Sequence, residues 1–141
     1  MTKSKPISLD DAIAKLQFLE NRTPNTSAEE SRDAFGKLAS YRDGSIFVAY
    51  YAGESEWERH IQGDEIVFVL DGEATLILLS NGEQIPYILR SGEIFVVPQA
   101  MWHRFETPKG VKLMSVTPEP TEHSIELPSI ELSSIDLTGD I

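Results

Sequence analysis

Short apolar runs separated by turn residues dominate the middle of the chain. Between residues 34 and 117 these runs are rich in Val, Ile, Phe and Tyr. They recur at the spacing of about 8 to 12 residues that is typical of antiparallel sandwiches and barrels. The turn signals between them are Asp43-Gly44, Asp71-Gly72, Asn81-Gly82, Ser91-Gly92 and Lys109-Gly110. Asn81-Gly82 is the strongest hairpin signal, because both residues tolerate the positive φ angles of a two-residue turn.

The N-terminal segment follows a helical pattern instead. Apolar side chains recur on one face of residues 8–20, and Ser8 with Asp11 three residues later is typical of a helix N-cap. A polar loop with one turn of helix follows. We therefore expect an all-β protein with a short N-terminal helix, in which residues 1–33 form the helix and loop and residues 34–117 form the β-barrel.

The C-terminal segment, residues 118–141, has a composition of its own. It carries six acidic residues, no Lys or Arg, and three related copies of a four-residue unit, SIEL, SIEL and SIDL. A period of five residues suits neither a helix nor a strand. Two interpretations are open: a disordered acidic tail, or an extended arm that lays its Ile and Leu side chains on a partner subunit.

Length and charge restrict the possible partners. A chain of 141 residues fits one domain, and it has no apolar stretch near the roughly 20 residues that cross a bilayer, so no membrane partner is expected. The N-terminus has no apolar segment typical of a secretory signal, which predicts a cytoplasmic protein. A net charge of −11 makes a nucleic-acid partner unexpected, since phosphates require a basic face.

The chain has no cysteine, so any metal site must be built from His, Asp and Glu. In an extended segment Glu58 and His60 point to one face, and Glu65 can return to that face after a turn. The turn is assigned to Asp64, whose period places it opposite Glu65. If these strands close into a barrel, we expect His103 to lie beside Glu58, His60 and Glu65.

These residues and their spacing resemble the cupin superfamily over residues 45–117. The first cupin motif is matched by Gly53, His60, Glu65 and Gly72, and the second by Gly92, Pro98 and His103. Three positions depart from the motifs. Glu58 stands where the family has its first histidine, one residue too close to Gly53, while Ala100 and Thr107 replace a glycine and an asparagine. The resemblance implies a double-stranded β-helix barrel of jelly-roll type.

The resemblance also implies a metal site. His60, Glu65 and His103 are two imidazoles and one carboxylate, the ligand set of the facial triad that holds iron(II). Glu58 is expected to be either a fourth ligand or a catalytic general base beside a divalent ion such as Fe, Mn, Zn or Ni. The alternative is a scaffold that has lost its metal, in which these side chains hydrogen-bond one another.

The resulting hypothesis is a small metal-binding cupin that binds or acts on a small organic molecule in the barrel. The resemblance implies enzymes such as oxygenases, isomerases and cyclases, and also non-catalytic binding or sensing proteins with no metal or a structural one. Trp57 and Trp102 alternate away from the barrel together with Arg59 and Arg104. We expect cation–π contacts among them and a homodimer.

Overall fold

Strands dominate the computed structural model, which describes residues 4–129. Its helical elements are α1 (Leu9–Ala14), α2 (Ala28–Ser31) and a 3₁₀ turn (Arg32–Ala34). Its strands are β1 (Leu19–Arg22), β2 (Phe35–Tyr41), β3 (Gly44–Glu54), β4 (Trp57–His60), β5 (Glu65–Ser80), β6 (Glu83–Arg90), β7 (Ile94–Val97), β8 (His103–Pro118) and β9 (Thr121–Ser124). The predicted all-β fold with a short N-terminal helix is confirmed. Within residues 4–129, no helix has the length and apolar character needed to cross a membrane.

The long strand β8 organises the sheet. It pairs antiparallel with β3 on one side and with β5 on the other, and its first residue also pairs with β4. β5 also pairs with β6 and β7. β3 also pairs with β1 and β2, and β4 pairs with β9. Because β8 joins both halves, the sheet wraps around one core.

Alternation along β5 fixes which side chains fill that core. Val67, Val69, Leu76 and Leu78 are completely buried. Each such side chain contributes about 1.5–3 kcal/mol to folding relative to an exposed position. A slip of one residue would turn all of them outward, so the burial pattern holds the register of the strand.

Two of the five predicted turns are wrong, and the other three, at Asp43-Gly44, Asn81-Gly82 and Ser91-Gly92, are confirmed as connections between strands. Asn81 and Gly82 have φ angles of 50° and 84° and join β5 to β6. Asp71-Gly72 and Lys109-Gly110 instead lie inside β5 and β8, where Gly72 and Gly110 have φ angles of 88° and 103°. The register of the β5–β8 pairing shifts on either side of residues 71 and 72. These glycines serve irregularities that bend long strands rather than turns that end them.

The N-terminal helix is shorter than predicted. The Ser8 Oγ accepts a hydrogen bond from the Asp11 amide at 3.1 Å, as the sequence indicated, but the helix ends at Ala14. Residues 19–22 form β1, which runs parallel to β3. Pairing with a sheet edge outweighs helical propensity in this short segment. The predicted helical turn is α2, which Ser27 and Glu30 cap reciprocally.

The acidic C-terminal segment begins with a strand. β9 pairs antiparallel with β4 and places Thr121 opposite His60. The first SIEL unit starts at Ser124, at the end of this strand. The second unit passes beyond residue 129, and it and the third lie outside the described residues.

Gly53 allows β1 to approach β3 closely. Its φ is 119°, and a Cβ atom there would overlap the backbone of Arg22. We expect Gly53→Ala to lower the free energy of unfolding by more than about 2 kcal/mol, measured by urea denaturation. Gly92 is the matched control, because its φ of 88° is also positive but no atom lies within 4 Å of the added Cβ. Gly92→Ala should cost only the conformational strain of about 1 kcal/mol. Equal losses at both positions would contradict the proposed close approach.

Candidate metal centre

Three strands bring the four predicted site residues together. Glu58 and His60 lie on β4, Glu65 begins β5, and His103 begins β8. Glu58 and His103 are direct partners across the β4–β8 pairing. One ligand atom from each of the four side chains lies within 4.8 Å of the other three. The alternation that the sequence indicated therefore produces one cluster inside the barrel.

The ligand atoms have the spacing of atoms around one ion. The Nε2 atoms of His60 and His103 lie 3.3 Å and 3.0 Å from Glu65 Oε1. The same two nitrogens lie 3.9 Å and 3.6 Å from Glu58 Oε1. Ligands bound at about 2.1 Å to one ion lie roughly 3 to 4 Å apart, so the cluster needs little rearrangement to hold a metal.

Hydrogen bonds on the outer side of each imidazole set its orientation. His103 Nδ1 donates to the carbonyl oxygen of Met101 at 2.9 Å, and His60 Nδ1 contacts Thr121 Oγ1 at 3.0 Å. Met101 O can only accept, so Nδ1 of His103 carries a proton, and Nε2 of a neutral ring presents its lone pair to the cluster. Outer partners of this kind hold metal-binding histidines in proteins.

His60 Nε2 is the exception in the hydrogen-bond network. Among residues 4–129, it is the one buried side-chain nitrogen or oxygen atom that has no hydrogen-bond partner. The whole residue is only 3% exposed. Leaving a buried polar atom unpaired costs about 1–3 kcal/mol, so such an atom directed at a carboxylate calls for a bound group. A divalent cation satisfies the nitrogen and both carboxylates at once.

Glu65 is held from its other side. Its Oε2 accepts a hydrogen bond of 2.7 Å from Thr117 Oγ1, which lies 2.8 Å from Ser115 Oγ. Burial opposes its ionisation, but the hydrogen bond from His103 and the close imidazole of His60 together outweigh burial and lower the pKa of Glu65 to about 2. The group is therefore an anion at neutral pH, as a metal ligand must be.

The contacts with carboxylates raise the pKa of His103. Burial opposes a positive charge there, yet the hydrogen bonds and charges of Glu58 and Glu65 together outweigh burial and raise the pKa of His103 to about 10. Without a metal, this imidazole carries a second proton at neutral pH. A metal ion must displace that proton to bind Nε2.

The loop before β8 explains one departure from the cupin motif. Ala100 has a φ of 64°, in the left-handed region where the family has glycine, and its amide donates to the His60 carbonyl oxygen at 2.9 Å. The loop is also tied to the turn before β5, since Asp64 Oδ1 accepts from the Gln99 amide. Asp64 thus lies outside the cluster of four side chains and fixes the loop before β8.

A cavity of about 220 Å³ adjoins the cluster. Glu58, His60 and Glu65 form part of its wall, and its other lining residues are Arg22, Phe35, Phe47, Val48, Ala49, Tyr51, Ser55, Val67, Phe105, Leu113, Ser115, Thr117, Thr121 and His123. Most of this wall is apolar and the polar groups are few, an arrangement typical of small-molecule sites. The size suits a small organic compound.

Sequence reasoning missed some of these residues. Arg22 lies in a segment predicted to be loop, and Thr121 lies in the acidic C-terminal segment. Thr117 carries no signal beyond its place at the end of a strand. Arg59 and Arg104 lie against tryptophan rings: the Arg59 guanidinium carbon is 4.7 Å from the Trp102 ring centre, and that of Arg104 is 5.4 Å from the Trp57 ring centre. The predicted cation–π contacts are confirmed.

Comparison with known proteins gives one consistent family. The family model described as the cupin domain matches residues 47–117. An uncharacterised protein, YdbB of Bacillus subtilis strain 168, is 22% identical over 86 residues, which is 61% of this chain and 74% of that protein.

Solved structures show the same fold. A cupin-2 domain protein from Shewanella frigidimarina has a TM-score of 0.57 at 19% identity, covering 84% of this chain and 94% of its own. Protein NMB1881 from Neisseria meningitidis has a TM-score of 0.56 at 20% identity, and the match covers 85% of this chain and 100% of that one. Hydroquinone 1,2-dioxygenase PnpCD, in complex with Cd²⁺ and 4-hydroxybenzonitrile, has a TM-score of 0.53 at 17% identity. The match covers 60% of this chain and 63% of that one.

Proposed function

This chain belongs to the cupin family, and we propose that it binds a divalent metal ion through His60, Glu65 and His103 and acts on a small organic molecule in the barrel. The observation that carries the proposal is the buried His60 Nε2 without a hydrogen-bond partner among the described residues, 3.3 Å from Glu65 Oε1. In a scaffold that had lost its metal, this nitrogen would be expected to have gained a partner. The ion is of the Fe, Mn, Zn or Ni class, since the ligands are imidazole and carboxylate.

The ion and the residues around it would have separate roles. When bound, a divalent ion supplies Lewis acidity and lowers the pKa of a coordinated water or hydroxyl group. Thr121 and the Met101 carbonyl would hold the two imidazoles in place, and Thr117 would hold Glu65. The apolar wall of the cavity would exclude water from the reacting molecule. The fold of a dioxygenase described with Cd²⁺ and a small aromatic nitrile supports this use of a cupin barrel.

Glu58 would move a proton rather than hold the metal. Its side chain is 20% exposed, compared with 4% for Glu65, and its Oε1 lies farther from both imidazole nitrogens. It also lines the cavity. A carboxylate placed between the ligand cluster and a bound substrate can accept a proton from a hydroxyl acidified by the ion. The alternative role, a fourth ligand, leads to a different result in the experiment that follows.

We expect protein purified without a metal-affinity column to contain about one divalent ion per chain by elemental analysis. Glu58→Gln should retain the ion, with its affinity reduced less than about tenfold. Glu56→Gln is the matched control, because Glu56 pairs with His123 outside the cluster at 2.9 Å. A larger loss for Glu58→Gln would make Glu58 a ligand. Wild-type protein that binds none of the four metals at micromolar concentration would overturn the proposal.

The second candidate is a binding or sensing protein without catalysis. The mostly apolar cavity favours it as much as an enzyme, since the cavity alone requires only a ligand. Homodimerisation and a cytoplasmic location stay predictions from the sequence. Exposed apolar side chains on neighbouring strands, Ile66, Ile94 and Val96, offer a surface that a second copy would cover.

A further inference from the structure

Arg22 is the basic side chain of the cavity that has no acidic partner. It lies at the end of β1, opposite Gly53 of β3, and lines the same cavity as the metal cluster. Among residues 4–129 it forms no ion pair with a carboxylate. Four other arginines do form such pairs, with Asp33, Glu122, Glu73 and Glu106. A cationic group facing a cavity without a counter-ion is a recognition element for an anion.

Two aromatic rings hold Arg22 in place. Its guanidinium carbon lies 4.5 Å from the ring centre of Tyr51 and 5.0 Å from that of Phe35. These two rings stack on each other with centres 5.8 Å apart. Contact with aromatic faces orients a guanidinium without neutralising it. Burial raises the pKa of the Tyr51 hydroxyl, so Tyr51 stays a neutral phenol and leaves the charge of Arg22 in place.

The charges of the site then favour an anion. Two carboxylates, Glu58 and Glu65, balance the two positive charges of a divalent ion, and the histidines bind a metal as neutral rings. Arg22 adds one positive charge that no other described group offsets. The remaining wall is mainly aromatic and aliphatic. The site therefore matches a molecule with one negative group and an apolar body.

We propose that the substrate or ligand is a small organic monocarboxylate whose carboxylate pairs with Arg22 while its apolar body fills the cavity beside the metal cluster. This inference rests on the proposed function for the location of the reacting group and for the charge balance, while the contact between the Arg22 guanidinium and a carboxylate involves no metal atom. Arg22 is a specificity-determining residue that sequence reasoning overlooked. The planar guanidinium suits a two-point contact with a carboxylate.

Binding of benzoate and of its uncharged isostere benzamide tests the pairing. Both affinities are to be measured by titration calorimetry on metal-free and on Zn²⁺-loaded protein. We expect wild-type protein to prefer benzoate by at least about tenfold, and Arg22→Met to remove that preference while changing benzamide binding less than about twofold. Arg22→Lys keeps the charge and should retain a measurable preference, which provides a second variant if Arg22→Met folds poorly.

Arg42→Met is the matched control. Arg42 also contacts a tyrosine ring, with its guanidinium carbon 5.4 Å from the ring centre of Tyr41, but it lies outside the cavity. The substitution removes the same net charge and should leave benzoate binding unchanged. Benzoate binding that survives Arg22→Met, or wild-type protein without a preference for benzoate, overturns the inference. If the protein holds no metal yet the preference still depends on Arg22, the proposed function fails and this inference stands.

Discussion

His60→Gln and His103→Gln each reduce the affinity for a divalent metal ion at least about 100-fold, as measured by competition with a chromophoric chelator. Loss of a group outside the ligand set costs 10- to 100-fold in many metal sites, and loss of a direct ligand should cost more. Both rings direct Nε2 at the cluster, and neither has a described substitute within reach. The two variants should also lose the metal during purification.

His123→Gln provides the matched control. It removes the third histidine of the chain, which lines the same cavity but pairs with Glu56 and is half exposed. Its metal affinity should stay within about twofold of wild type. Metal binding that is lost equally in all three variants would point to a general loss of structure. Binding that persists in His60→Gln or His103→Gln would remove that residue from the ligand set.

The metal-free protein should lose stability as the pH rises from about 6.5 to about 10. The pKa of His103 is raised from 6.5 to about 10, so the stabilisation from its protonated form is complete below pH 6.5 and is lost progressively as the pH rises to about 10. The free energy of unfolding should fall by up to about 1.4 kcal/mol per pH unit in this window. Urea denaturation in the presence of a chelator measures it at each pH.

Low pH should also lower the free energy of unfolding, because it protonates Glu65 in the same ion pair. The pKa of Glu65 is lowered from 4.5 to about 2, so its contribution is present above pH 4.5 and is lost as the pH falls toward 2. Both shifts describe one pair, and their contributions do not add. His103→Gln should flatten the dependence above pH 6.5. An unchanged slope in that variant would assign the pH dependence to other groups.

The cluster of four side chains was predictable because its members lie close to strands with clear alternation. Glu58 and His60 share a face by spacing alone, and the turn before β5 brings Glu65 to the same cluster. His103 required the pairing of β8 with β4, for which the sequence offered only the resemblance to the cupin motifs. Strand period and motif spacing were therefore sufficient for the four residues, although their role with a metal stays a prediction.

The remainder of the site depends on pairings between distant parts of the chain. Arg22 reaches the cavity because β1 pairs with β3, and Thr121 reaches His60 because β9 pairs with β4. Neither pairing leaves a local signal, since β1 spans the end of the predicted helix and the start of the predicted loop, and β9 lies in the acidic C-terminal segment. The turns expected at Gly72 and Gly110 failed for a related reason. A glycine with positive φ serves a bend inside a strand as well as a hairpin.

The position of Thr121 on β9 has a consequence for synthesis of the protein. His60 makes its outer hydrogen bond with a residue made 61 positions later. While the chain grows on the ribosome, the first imidazole and both carboxylates emerge well before the strand that orients His60. A nascent chain therefore cannot form the finished site, and the metal is expected to be selected only after β9 has joined the sheet.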